Sequence, residues 1–213
     1  MTWRLICRDN LTAPEGLASD EVLAFRAGEK LSPPTLQLYT YQSHCALAGR
    51  FQTIQNEIHT DYCEKHYIQI NRRPTGGGAI LMGKGQLGIA LTLPAKPEDE
   101  RTDLRALMVK FSGGITHALN TMGINGEFQR KNDIEVSGKK IAGLGMHRTT
   151  TGGLLFHGSL LLDMDIALML NVLTTPFEKI TDKEIHTVDQ RITTINKETN
   201  YSNELNRIRD LVQ

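Results

Sequence analysis

The chain has no excess of either charge. It carries 24 Lys and Arg against 24 Asp and Glu over 213 residues, so it offers no electrostatic footprint for nucleic acid or an anionic membrane. Long hydrophobic runs are missing too. "GAILM" and "LGIAL" are strand-sized, far below the roughly 20 residues needed to cross a bilayer. The first residues, "MTWRLICRDN", bring charge too early for a secretory leader, and the expectation is a cytoplasmic protein. Cysteine is scarce: Cys7, Cys45 and Cys63 are odd in number, far apart, and form no CxxC pair. That spacing argues against a zinc ribbon or a redox dithiol and favours reduced, buried thiols. The remainder, 39% hydrophobic and 23% charged, is the composition of an ordinary globular chain with enough length for one large domain.

Strand and helix patterns alternate in blocks. "WRLIC" reads as a first strand, and residues 16 to 27 as a helix with Leu17, Val22, Leu23 and Phe25 as its apolar positions. "TLQLYTY" alternates, with Leu36, Leu38 and Thr40 on one face. "CALAG" is a short strand, Ile58 to Glu64 a helix, and "YIQI", "GAILM" and "LGIALTL" are further strands. Leu104, Leu107, Met108, Phe111, Ile115, Leu119 and Met122 recur every three or four residues and mark an amphipathic helix. "DIEV", "IAGLGMHR" and "LLFHGSLLL" are strands joined by the hairpin turns "SGKK" and "TTTGG". Leu205, Ile208, Leu211 and Val212 carry a short helix in the tail from Tyr201. Hairpin-linked strands segregated from helices imply an α+β fold, mixed β-sheets with flanking helices, in a single domain over residues 1 to 213.

The unusual stretch is "RRPTGGGAI", residues 72 to 80. Three glycines in a row are entropically costly, and their return is a backbone that can lie close against a ligand and turn N–H groups to an anion. A bulge or hairpin turn beside an exposed Arg pair is the alternative. Residues 78 to 84 also fit the first places of a phosphate-binding P-loop, but Gly85 stands where that motif needs Ser or Thr, and the intervening residues are strand-like. The P-loop is rejected. Downstream, Asn132 and Asp133 precede a strand, and Lys140 enters the apolar "IAGLG" run, where an ammonium can stabilise developing negative charge. His157 and Ser159 share one face of their strand, without the G-x-S-x-G elbow of a serine hydrolase.

Together these segments resemble the lipoate–protein ligases, within the wider biotin/lipoate ligase and octanoyltransferase superfamily. "RRPTGGGAI" matches the family's Arg-Arg-x-Ser/Thr-Gly-Gly-Gly-Ala signature, "RKNDIEV" its Asn-Asp segment, and "KKIAG" its Lys-Ile/Val-Ser/Ala-Gly. "FHGSLLL" and "VDQRITTI" match two later elements, and "HCALAGRFQTIQNEI" the strand and turn ahead of the glycines. The resemblance implies the catalytic-domain architecture of those ligases and a two-step reaction. Lipoate or octanoate reacts with ATP to give an acyl-adenylate, and a lysine of a lipoyl-carrier protein or domain then takes the acyl group. It implies that Arg73, Thr75, Gly77, Gly78, Ala79, His157 and Ser159 border the acyl-adenylate. Asn132 and Asp133 would hold the nucleotide phosphates and, through them, Mg²⁺ at Asp133. Lys140 would be the catalytic lysine. Leu81, Leu144 and Met146 are candidates for the acyl groove.

The sequence departs from the ligase pattern in places. "GKGQL", residues 83 to 87, echoes the "HGPGQL" of octanoyltransferases. Yet the cysteine nucleophile those transferases need is absent from both positions where it would fall, "NVLTTPFEK" and "EFQRKNDI", which favours ATP-dependent ligation. Many ligases carry a small accessory domain beyond the catalytic one. This sequence is expected to lack it, with either a separate accessory subunit or a self-sufficient short form. The biotin branch's Gly-Arg-Gly-Arg type segment is absent. The alternatives carried forward are an octanoyltransferase and a non-catalytic subunit that binds the acyl-adenylate or its carrier.

Overall fold

The computed structural model describes residues 2–96, 103–129, 132–174, 181–199 and 205–212. The acidic end of the 94–100 loop, Arg130 and Lys131 of "RKNDIEV", residues 175–179 of the "NVLTTPFEK" stretch and the start of the tail at Tyr201 lie outside the described residues.

Ten strands among the described residues form two sheets. β1 (Arg4–Leu11), β2 (Thr35–Tyr41), β6 (Gln86–Pro94), β7 (Glu127–Gln129), β8 (Asp133–Val136), β9 (Lys139–Arg148) and β10 (Gly153–Leu161) make the large sheet, in the order β1-β2-β6-β10-β9-β8-β7. Only the β1–β2 pair is parallel. β3 (Cys45–Ala48), β4 (Gln69–Arg72) and β5 (Ile80–Met82) make the small sheet, β4-β3-β5, in which β3 and β4 are parallel.

The large sheet is covered on both faces, so its central strands are buried on both, with polar groups such as Gln37 and Thr92 among the buried residues. On one face α4 (Leu104–Thr121) and α8 (Leu205–Val212) pack Ile115, Leu119 and Ile208 against Leu38, Leu87, Ile89 and Phe156. On the other, α1 (Ala13–Gly28) and the small sheet bring Leu17, Ala24, Leu47 and Met82 on to Tyr39, Ala90 and Leu155. A third cluster behind the small sheet joins Ala46, Ala48 and Leu81 to Ile58, Cys63 and Val172. Each fully buried Leu, Ile or Phe contributes about 1.5–3 kcal/mol.

Local chemistry explains where the elements begin and where the sequence pattern misleads. α1 starts three residues earlier than its apolar pattern. Thr12 caps it: Thr12 Oγ1 accepts from Glu15 N–H, and Glu15 Oε2 accepts from Thr12 N–H at 2.8 Å, a reciprocal cap that contributes about 1 kcal/mol. Its buried stripe is Ala13, Gly16, Leu17, Asp20, Ala24 and Ala27, while Val22 and Phe25 face solvent. The expected helix from Ile58 to Glu64 is instead α2 (Ile54–Glu57) and α3 (Thr60–Lys65), because Ile58 is extended and bridges to Leu173. The turn between β8 and β9 has positive φ at both Ser137 and Gly138, as its hairpin signature requires. α5 (Ile166–Val172), α6 (Asp182–Asp189) and α7 (Ile195–Thr199) complete the chain. Cys45 and Cys63 are buried as expected, but Cys7 is exposed on β1.

One polar clasp closes the fold over nearly its full length. Arg209 of α8, itself buried, donates from Nη1 to Asp9 Oδ2 at 3.0 Å and from Nη2 to Asp9 Oδ1, and Thr40 Oγ1 donates to the same carboxylate at 2.7 Å. The hydrogen bonds from Arg209, against the opposing effect of partial burial and helped by that from Thr40 and by the guanidinium's charge, hold the Asp9 carboxyl below its ordinary pKa. A depressed folded-state pKa stabilises fully above the unfolded value of about 3.9 and is lost as pH falls through the folded value. Since the Asp9 side chain is half exposed, solvent screening limits the effect to about 1 kcal/mol. Arg209→Ala is therefore expected to lower stability by about that much at pH 7 in denaturant titrations, and the difference from wild type should shrink below pH 4.

Candidate active site

A cleft of about 320 Å³ opens between the small sheet and the α1-side face of the large one, and its lining includes Arg73, Gly78, Ala79, Asn132, Asp133 and Lys140. His157 and Ser159 line it from β10, Leu81 from β5 and Leu144 from β9. Thr75 and Gly77 are not on its wall. Met146 is not either: it packs beneath α4 with Leu107 and Phe111, so the expectation that it shapes the acyl groove is corrected. A second hollow of about 420 Å³ between β1, α4 and α8 is lined by apolar groups such as Trp3, Phe111 and Val212, with Arg4 its one charged side chain. It has none of the chemistry of the first.

The two arginines of the glycine segment both turn on to backbone oxygens. Arg72 Nη1 donates to the carbonyls of Gly49 at 2.7 Å, Arg50 at 3.1 Å and Gln52 at 2.8 Å, which fixes the turn leaving β3. Arg73, 7% exposed, donates from Nη1 to Leu47 O at 2.9 Å and from Nη2 to Gly76 O at 3.0 Å and Gly78 O at 2.6 Å. Its burial lowers its pKa. The segment is thus wound around a guanidinium. Gly77 sits at φ +98°, and a Cβ on Gly49 would lie 2.1 Å from the Gly77 carbonyl oxygen. The approach is possible because Gly49 has no side chain, while Gly77 adopts a left-handed φ that glycine takes without strain.

Opposite this segment, Lys140 Nζ pairs with Asp133 Oδ1 at 2.7 Å, both side chains being partly exposed to the cleft. β9 carries a bulge here: Glu135 pairs with Lys140 and Ile134 with Ala142, leaving Ile141 extra. Such a bulge twists the strand and re-aims its neighbours. Residues 191–193 of "VDQRITTI" run alongside, with Lys140 N–H donating to Arg191 O and Thr193 N–H to Lys140 O, each at 2.9 Å. Asn132 is committed to the backbone, donating from Nδ2 to Leu144 O at 3.0 Å, while Leu144 N–H donates to Asn132 O at 2.8 Å.

A buried polar chain lies beneath the cleft, and the sequence reading missed its anchor. Thr75 Oγ1 is 2.7 Å from His157 Nε2, and His157 Nδ1 faces Asp20 Oδ2 at 3.7 Å. Asp20 is fully buried and accepts from Gln37 Nε2 and Tyr39 OH, each at 3.0 Å. Burial pushes its pKa up, against the opposing pull of His157, Tyr39 and Gln37. The signal was present: Asp20 stands three residues after Leu17, on a stripe that is otherwise small or apolar.

No group of three or more His, Cys, Asp or Glu among the described residues is placed to hold a metal. Asp133 offers one carboxylate, and Asn132 Nδ2 is already spent on Leu144 O. That donor set fits Mg²⁺, which keeps its waters and is held through one or two carboxylates together with substrate phosphates. None of the three cysteines lines the cleft. Burial pushes the Cys45 thiol up to about 12 and raises that of Cys63 as well.

Residues 12–213 match the family model described as the lipoyl protein ligase A/B catalytic domain. The chain is 28% identical to the octanoyltransferase LipM of Halalkalibacterium halodurans over 209 residues, covering 85% of this chain and 74% of that one. It is 35% identical to lipoate–protein ligase 2 of Staphylococcus aureus over 146 residues, 68% of this chain and 41% of the other. Among solved structures, the bi-partite lipoate protein ligase of Thermoplasma acidophilum superposes with a TM-score of 0.79 at 23% identity, over 100% of this chain and 81% of that one. A lipoate–protein ligase A bound with ATP gives 0.78 at 21%, over 100% and 83%. A biotin protein ligase of Aquifex aeolicus gives 0.51 at 13%, over 100% and 65%. These superpositions establish the expected fold, mixed sheets with flanking helices.

The glycines give a paired expectation. Gly49→Ala forces the Gly77 carbonyl to move and should lower stability by about 1–3 kcal/mol in thermal or denaturant unfolding. A Cβ on Gly78 meets nothing within 4 Å, so Gly78→Ala should unfold like wild type while obstructing ligand entry, read by the loss of ligand-induced stabilisation.

Proposed function

We propose, for a chain that belongs to the lipoyl protein ligase A/B catalytic-domain family, that its cleft activates lipoate or octanoate with ATP and passes the acyl group to a lysine of a lipoyl-carrier protein or domain. The observation that carries this reading is the pairing of a lysine on the cleft wall with the absence of any thiol there. An acyl-thioester route needs a reactive cysteine. Cys45 and Cys63 are buried, and Cys7 lies on β1, outside the cleft.

In the first step the acyl carboxylate attacks the α-phosphate of ATP and pyrophosphate leaves. In the second, the carrier's lysine amine attacks the carbonyl of the mixed anhydride, and AMP leaves with the bonding electrons. Lys140 supplies positive charge in both transition states, at the oxygen that bridges acyl group and phosphate. Asp133 holds that ammonium in place at 2.7 Å. Mg²⁺, which Asp133 and the nucleotide phosphates would hold, offsets phosphate charge. Arg73 acts through the segment it winds, presenting Gly78 and Ala79 to the ligand, and Leu81 and Leu144 supply apolar wall for the C8 chain. Positioning within a preformed cleft contributes the rest. No helix among the described residues is long and apolar enough to cross a membrane, which suits an enzyme acting on a protein substrate in solution.

The similarity to octanoyltransferases supports a second reading, transfer from an octanoyl-carrier without ATP. A separate accessory polypeptide, as in the bi-partite archaeal ligase, remains a variant of the first, as does a self-contained catalytic domain.

Pyrophosphate release from ATP with lipoate tests the proposal. Wild type should release it, and Lys140→Ala should be slower by about 10²–10³. Since the Lys140 side chain is 37% exposed, the variant should unfold like wild type. Release within a few-fold of wild type in Lys140→Ala would contradict the role given to that lysine.

A further inference from the structure

The buried polar chain beneath the cleft has a cost that the fold does not explain. A carboxylate with no solvent access carries a desolvation penalty of several kcal/mol, and Asp20 is 0% exposed. Its neighbours on the α1 stripe are Gly16, Leu17, Ala24 and Ala27, a surface that an apolar side chain would complete more cheaply. Yet several neighbouring side chains are arranged around this carboxylate. Ser19 Oγ donates to Gln37 Oε1 at 2.7 Å, which leaves Gln37 Nε2 to donate to Asp20 Oδ1. Tyr39 OH donates to Oδ2. The remaining group facing Oδ2 is His157 Nδ1.

On the far side of the imidazole, Nε2 meets the Thr75 hydroxyl at 2.7 Å. Room for that bond comes from Gly145, where a Cβ would lie 2.7 Å from His157 Nε2 and 3.0 Å from Thr75 Oγ1. Thr75 is 1% exposed and immediately precedes Gly76–Gly78, of which Arg73 holds the Gly76 and Gly78 carbonyls. The segment is therefore fixed from two directions, by Arg73 on its carbonyls and by His157 on its leading side chain.

We propose that Asp20 is a positioning residue for the chemistry of the cleft: it keeps the Nδ1 proton of His157 turned towards itself, so that Nε2 accepts from the Thr75 hydroxyl and the glycine segment is held in its ligand-ready shape. A segment shaped beforehand loses less entropy when the acyl-adenylate forms along it. The inference rests on the cleft being the acyl-adenylate site. It assigns to Asp20, Gln37 and Tyr39 a role that neither the glycine signature nor the catalytic lysine implies. Asp20 touches no substrate and acts only through His157 and Thr75.

The test uses the full chain with Asp20→Asn, Thr75→Val, Thr75→Ser and the double variant Asp20→Asn/Thr75→Val. Three quantities are measured: the thermal midpoint, the ¹⁵N imidazole spectrum of His157 in histidine-labelled protein, and lipoate-dependent pyrophosphate release. Removing a buried charge while keeping the shape should leave the midpoint of Asp20→Asn equal to or above that of wild type. The His157 resonances should change from the Nδ1–H to the Nε2–H tautomer, and kcat/KM for lipoate should fall at least tenfold. Thr75→Ser should stay within threefold of wild type, and Thr75→Val should fall as Asp20→Asn does. The double variant should be no worse than the poorer single one, as expected of residues acting in one chain. An unchanged tautomer, near wild-type kcat/KM in Asp20→Asn, multiplicative losses in the double variant, or a loss that merely tracks a lowered midpoint would each overturn the proposal. If wild type itself releases no pyrophosphate, the ligase reading fails, while the tautomer and the midpoint still decide whether Asp20 sets the state of His157.

Discussion

The site depends on a guanidinium buried among carbonyl oxygens. Arg73 gives its hydrogen bonds to Leu47, Gly76 and Gly78, and in doing so ties β3 to the segment that crosses to β5. That bridge offsets the ordering cost of three glycines, since glycine loses more conformational freedom on ordering than any other residue. With it, the segment becomes a wall. Arg72 does the same for the turn after β3, and Gly49 lets the two turns touch. Lys140, set by the β9 bulge and Asp133, and His157 of β10 face this wall across the cleft.

The two faces of the large sheet are used differently. Beneath α4 and α8 the packing is almost wholly apolar, with Leu38, Leu87, Ile115, Leu119 and Phe156 at its centre, and this is where stability resides. The α1 side is mixed. It buries Asp20, Gln37 and Tyr39 together with a small second sheet, and between them it leaves the cleft open. A protein that concentrates its apolar packing on one face can tolerate strained and polar arrangements on the other, and the separation of stability from function follows from that division.

Much of this was legible in the sequence, for reasons that differ by element. β8, β9 and β10 were readable because their turns carry Gly138, Gly152 and Gly153 between alternating runs, and α4 because seven apolar residues keep helical spacing. The glycine segment could be singled out since three consecutive glycines exceed the one or two that a tight turn needs. What Arg73 does there was not readable: a side chain that serves backbone carbonyls leaves no pattern, and only the fold brings Leu47 O within its reach. α1 was placed, with Leu17 buried as expected but Val22 and Phe25 wrongly taken for core, because the rest of its stripe is made of Ala, Gly and one Asp. That Asp was the overlooked clue. Met146 was misplaced for a related reason. It shares the strand of Leu144 but lies further along, beyond the reach of the cleft.

The most direct measurement is the mass of a purified lipoyl-carrier domain incubated with the protein under two conditions, lipoate with ATP and Mg²⁺, or octanoyl-carrier protein without ATP. A gain of one lipoyl group in the first, with no change in the second, is the result that a thiol-free cleft built around Lys140 predicts. Octanoylation in the second, with nothing in the first, would contradict it and make the protein a transferase with a nucleophile other than cysteine.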